Sequence, residues 1–138
     1  MMRRPGAAHL LAGFLSAAGA AHLVVPDAYQ RLIPSVLPSP KVWVYASAVA
    51  ELACAAALVA PRTRRTAGWA TEALFVGVFP GNLTMAADAV GRGPVYRAIA
   101  YGRLPLQVPL VWWAVAVARS APRTGRTANP GPRSAESG

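Results

Sequence analysis

Charge and cysteine are both scarce in this chain. Of its 138 residues only 14% are charged, five are acidic and one is a cysteine. A lone Cys54 excludes an intramolecular disulfide and a CxxC pair, and with them self-contained thiol–disulfide exchange. So small a charged fraction beside 54% hydrophobic residues belongs to membrane proteins rather than soluble domains. The net charge of +9 does not come from a basic stripe interleaved with aromatics, so it lacks the footprint of a nucleic-acid surface. The arginines sit in the breaks between apolar blocks, where they fit topology and anionic headgroups.

Four apolar blocks fill most of the chain: residues 6–25, 42–60, 67–90 and 98–118. Each is close to the ~20 residues that cross a bilayer as a helix. The expected fold is therefore all-α, a four-helix transmembrane bundle occupying residues 1–118. A basic tail, residues 119–138, rich in Arg, Ser, Thr, Pro and Gly, has nothing to bury and is expected to be disordered. Arg3, Arg4, Arg62, Arg64, Arg65, Arg119, Arg123, Arg126 and Arg133 fall on one side of such a bundle. Arg31, Lys41, Arg92, Arg97 and Arg103 fall on the other, so the positive-inside rule places both termini in the cytoplasm. Arginine outnumbers lysine thirteen to one, a bias of GC-rich bacterial genomes.

Two N-terminal arginines, an apolar stretch and the small residues 16–21 also permit a signal-peptide reading. Against it, the apolar stretch continues to Val25 without a polar shift. The first outer loop carries Pro26, Pro34, Pro38 and Pro40 among apolar residues, and is expected to lie at the interface over the outer mouth of the bundle. Pro80 in the third block should free the Val76 carbonyl, and Pro105 and Pro109 flank Gln107 in the fourth. Irregular backbone at membrane depth is tolerated where it lines a cavity or is buried in protein.

Glu51 stands at the centre of an otherwise uncharged block. A carboxylate there costs about 3 kcal/mol on insertion scales and is a functional-site hypothesis by default. Counting ~1.5 Å of rise per residue, Gln107 also lies near the midplane, His22 roughly 9 Å outward, and Asn82 and Arg103 roughly 7 Å outward. Each block thus places a polar group in the central or outer part of the span, and Glu72 is the exception on the cytoplasmic side, near Arg64 or Arg65. Spacing puts Ser16, Gly19 and His22 on one face of the first helix, and Ser47, Glu51, Cys54 and Ala55 on one face of the second. A histidine and a carboxylate would then face each other, with Arg103 available to neutralise the carboxylate.

Every one of these residues has a plainer reading. His22 snorkels to headgroups, Glu51 is a structural carboxylate, and Asn82 satisfies the backbone that Pro80 opens. Arg103 and Gln107 cap and glue the last helix, Cys54 is a small packing residue, and the tryptophans form belts or packing. No set of residues has metal-ligand spacing.

The segments Gly19-Ala-Ala-His22, Ile33-Pro34-Ser-Val-Leu37-Pro38, Ser47-Ala-Val-Ala-Glu51, Phe79-Pro80-Gly-Asn82 and Arg103-Leu-Pro105-Leu-Gln107 together resemble the DoxX-like family of small bacterial integral membrane proteins. The likeness covers about residues 10–118, with Gly81 where alanine is expected. It implies an uncleaved four-helix bundle in the bacterial cytoplasmic membrane. It also implies association with an oxidoreductase complex or with membrane-protein assembly. On that basis His22, Glu51, Asn82, Arg103 and Gln107 are candidate ligand- and proton-binding residues for a quinone or similar amphipath. The chain is not expected to be an enzyme on its own. A protein partner that needs no ligand, a homo-oligomer, and a small proton-coupled carrier are the competing readings.

Overall fold

The computed structural model describes residues 5–123. Those residues form α1 (Pro5–Val24), the short α2 (Pro26–Gln30), α3 (Pro40–Val59), α4 (Arg64–Asp88), a 3-10 turn (Ala89–Gly91) and α5 (Pro94–Ser120). No strand occurs among them. The four long helices coincide with the four apolar blocks and overrun several of them at the ends. Proline explains the early starts: Pro26, Pro40 and Pro94 each occupy the first turn of a helix, where the missing N–H has no intrahelical partner anyway. The tail expected to be disordered lies, from residue 124 on, outside the described residues, as do Arg3, Arg4, Arg126 and Arg133; Arg119 belongs to the last turn of α5.

Three helices are long and apolar enough to cross a membrane: 6–24, 40–59 and 64–91 including the 3-10 turn. The fourth long helix, α5, falls short of that standard of composition, since Arg103, Gln107, Pro105 and Pro109 interrupt its apolar residues. In the three spans only 22–28% of the most apolar window is buried inside the protein. Leu10, Val24, Val49 and Val76 point outward while Thr71, Asn82 and Gln107 are buried, the reverse of a soluble domain's preference.

Packing joins the helices in two close pairs, α1 with α3 and α4 with α5; α3 meets α4 over a shorter length. Each pair is drawn together at a glycine. A Cβ on Gly19 would stand 2.9 Å from the Leu52 side chain, and one on Gly68 would stand 2.8 Å from the Ala118 backbone. Where lipid removes the hydrophobic drive for association, such close approach supplies dispersion contact instead. Leu11, Leu15, Ala55, Leu58, Phe75, Ala114 and Val117 form the central core. A second, smaller cluster of Met85, Ala89 and Ala100 joins α4 to α5, with Leu32 of the outer loop packed on it.

The turn between α3 and α4, residues 60–63, is fastened by side chains. Arg64 donates from Nε to the Leu58 carbonyl and from Nη2 to the Val59 carbonyl, both at 2.8 Å, while the Thr63 hydroxyl donates to the Ala57 carbonyl at 2.7 Å. These bonds satisfy the open carbonyls at the end of α3. Arg65 reaches the Ala118 carbonyl near the end of α5 at 3.5 Å. Both arginines are therefore used on carbonyls, and among the described residues neither forms an ion pair with Glu72.

A polar cavity between the helix pairs

Glu51 projects from the middle of α3, and α1 supplies its neighbour. His22 Nδ1 lies 3.1 Å from Glu51 Oε2 and 2.7 Å from the Ala18 carbonyl one turn back. Nδ1 carries at most one hydrogen, and the carbonyl is the nearer acceptor. Glu51 Oε2 is accordingly a buried side-chain oxygen without a hydrogen-bond partner among the described residues. The imidazole is held from its other side by Tyr29 of α2, with ring centroids 4.0 Å apart and planes inclined by 35°.

The inward face of α1 differs from expectation at one position. Gly19 and His22 face α3 as predicted, but Ser16 is exposed and Leu15 takes the buried place. Three-residue steps on a 3.6-residue helix drift by about 60° each, so the first and third members of an i, i+3, i+6 set do not share a narrow face. On α3, by contrast, Ser47, Glu51, Cys54 and Ala55 all turn at least partly inward.

Asn82 and Gln107 are both buried and bonded to each other across α4 and α5, with Asn82 Nδ2 donating to Gln107 Oε1 at 3.3 Å. Gln107 Nε2 donates in turn to the Phe75 carbonyl in a short hydrogen bond. That bond comes from the neighbouring helix and goes to the Phe75 carbonyl, one residue before the Val76 carbonyl that Pro80 opens, while Asn82 bonds Gln107 and not the backbone. Thr84 adds a local bond, its hydroxyl donating to the Pro80 carbonyl at 3.0 Å.

All five candidate residues, His22, Glu51, Asn82, Arg103 and Gln107, line a single cavity of about 220 Å³ between the helix pairs. A second cavity of about 260 Å³ adjoins it toward α2 and the following loop. His22, Tyr29, Ser47, Asn82 and Arg103 border both, forming a polar collar between them. Beyond the collar the second cavity is walled chiefly by apolar residues, among them Leu32, Ile33, Leu37, Trp43, Val44 and Met85. The proline-rich loop therefore covers one end of the cavity, as its composition suggested.

One expected contact is absent. Arg103 borders both cavities but makes no ion pair with Glu51 within 4.0 Å, and the carboxylate is met by His22 alone. The helix carrying Arg103 packs mainly on α4, while Glu51 lies on α3, which belongs to the opposite pair. No three His, Cys, Asp or Glu side chains come together as metal ligands among the described residues. Tyr29 is the site residue that sequence reasoning undervalued: it counted as an apolar member of the loop and as part of the motif that follows His22, and its place over the imidazole depends on the break between α1 and α2 at Val25.

Residues 11–118 match the protein family described as Domain of unknown function (DUF8561). The chain belongs to this DUF8561 family. The matched segment runs from α1 to within two residues of the end of α5 and includes every residue of the polar collar. No curated protein and no solved structure matches the DUF8561 chain.

Proposed function

We propose that the protein is a multi-pass membrane subunit, DoxX-like in type, that binds a quinone or similar amphipathic molecule with its polar head in the cavity between the helix pairs. Four spans, with both termini in the cytoplasm of a bacterium, complete this reading; α5 crosses the membrane shielded by α4. The observation that carries the proposal is the convergence of five polar side chains from four different helices on one cavity, beside a second whose walls are mainly apolar. Small-molecule sites have this composition, mostly apolar walls with a few convergent polar groups.

Quinone chemistry requires oxygen atoms that gain or lose protons as electrons arrive or leave. Glu51 and His22 fit that need. His22 Nδ1 stands 3.1 Å from Glu51 Oε2, and that oxygen, which accepts no hydrogen bond, can take a proton from a ligand hydroxyl. Arg103 and Asn82 orient the ligand's oxygens, and Gln107 fixes Asn82 while tying α5 to α4. In this reading the chain serves as the membrane member of an oxidoreductase complex.

The test is native mass spectrometry of protein extracted gently from its host membrane, with Glu51→Gln alongside. A quinone-sized adduct present in the wild type and lost in the variant is the expected result. A protein partner without a small molecule would overturn it in favour of a docking or assembly subunit. That second reading draws on the outward face of α3, where Ala46, Ala50 and Ala53 line a shallow groove that a neighbouring helix can approach closely.

A further inference from the structure

We infer that the cavity binds its ligand as an anion, with the Arg103 guanidinium as counter-ion to an ionised oxygen head such as a carboxylate or an acidic enol. The inference rests on the reading of the cavity as an amphipath site and narrows the class of amphipath it accepts.

The charge balance of the cavity leads there. His22, Glu51 and Arg103 are the only side chains bordering the two cavities that carry charge near neutral pH. Glu51 meets His22 at 3.1 Å and no guanidinium within 4.0 Å. Its carboxylate is therefore paired on the α1 side of the cavity and not with Arg103. Arg103 is left over, bordering the same cavities as His22 yet without an ion pair to any described residue.

A guanidinium stays charged at any pH a protein meets and presents five N–H donors in a planar fork. At membrane depth that charge is costly unless an acceptor meets it. No described side chain or carbonyl accepts a hydrogen bond from Arg103, although Arg64 and Arg65 both find carbonyls. None of the other four collar residues, His22, Tyr29, Ser47 and Asn82, accepts a hydrogen bond from it, and none of the four is an anion that would balance its charge. An ionised ligand oxygen supplies the missing charge and acceptor, and the largely apolar second cavity receives its chain.

The experiment is a titration of the full-length protein in lipid nanodiscs, read by native mass spectrometry, with three probes of equal alkyl chain length. They are an alkyl naphthoquinone, its acidic 2-hydroxy counterpart, and the fatty acid. The wild type is expected to bind the hydroxyquinone about tenfold more tightly than the neutral quinone, the scale of one charge-assisted hydrogen bond. Arg103→Gln should bind the two alike, and Arg103→Lys should keep part of the preference. Equal binding of both quinones by the wild type overturns the inference, and this comparison needs no variant to fold. An unchanged preference in Arg103→Gln overturns it too. If the fatty acid binds in an Arg103-dependent way and neither quinone binds, the anion site stands and the quinone reading falls. If both quinones bind alike, that reading survives and the anion site falls. No adduct with any probe removes both.

Discussion

His22 and Glu51 meet at 3.1 Å across the α1–α3 seam, one turn from where Gly19 lets the two helices come closest. The contact is set by backbone approach as much as by charge. Gly19 brings α1 against Leu52 and Ala48, and that spacing places the imidazole of the next turn beside the carboxylate of α3.

Substituting Glu51 should separate binding from folding. Glu51→Gln keeps the shape and a hydrogen-bond acceptor, and the imidazole left beside it can shed its proton rather than stay charged without a partner. The variant is expected to melt in detergent within about 1 kcal/mol of the wild type while losing ligand. Melting curves and adduct masses on the same preparation check both halves.

Two glycines should be irreplaceable where others are not. Gly68→Ala would force a Cβ to 2.8 Å from the Ala118 backbone and is expected to cost about 1–3 kcal/mol. Gly13 and Gly77 have open space around them. Alanine at either should change stability by no more than ~1 kcal/mol, in the stabilising direction that helix propensity favours. Equal losses at all three positions would contradict the described seam.

Gln107 is predicted to matter more for stability than Arg103. Gln107→Leu removes the bond to the Phe75 carbonyl and leaves the Asn82 amide without its acceptor, each a buried polar group costing about 1–3 kcal/mol when unsatisfied. A double-mutant cycle with Asn82→Leu should recover part of that loss, giving a coupling of about 0.5–1.5 kcal/mol.

Tyr29 should report on the collar. Tyr29→Phe keeps the ring over His22 and is expected to bind ligand as the wild type does, whereas Tyr29→Ala should weaken binding several-fold by loosening the imidazole. Ligand titration of the two variants distinguishes a ring contact from a role for the hydroxyl.

Topology has a direct test because Cys54 is the single cysteine. In a Cys54→Ser background, a cysteine at Arg62 should be shielded from a membrane-impermeant thiol reagent in intact cells, and one at Arg92 should be labelled. The opposite pattern would reverse the orientation given by the arginine bias.

Much of this arrangement could be read from the residues, and the exceptions have physical causes. Apolar runs of about twenty residues located the four long helices. The prolines that looked like breaks also mark helix starts at Pro26, Pro40 and Pro94, so the helices begin earlier than hydropathy alone indicates. Counting rise along each span brought His22, Glu51, Asn82, Arg103 and Gln107 to similar depths, and they do share a cavity. Depth alone does not give azimuth. Whether Arg103 or His22 would meet Glu51 depended on which helices pair, and α5 pairs with α4 instead of α3. The same limit explains Ser16, whose spacing matched the inward face while its rotation did not.

The side-chain clasp at residues 60–63 bears on how a guest could enter. Arg64 and Thr63 tie the turn to the last carbonyls of α3, and Gly68 locks α4 to α5 just beyond it. At the opposite end the backbone bonds of α2 and the loop are all local, and Leu32 of the loop packs on Met85, Ala89 and Ala100. The two ends are thus closed differently, and the apolar side chains of the loop, not the clasped turn, border the space a guest would occupy.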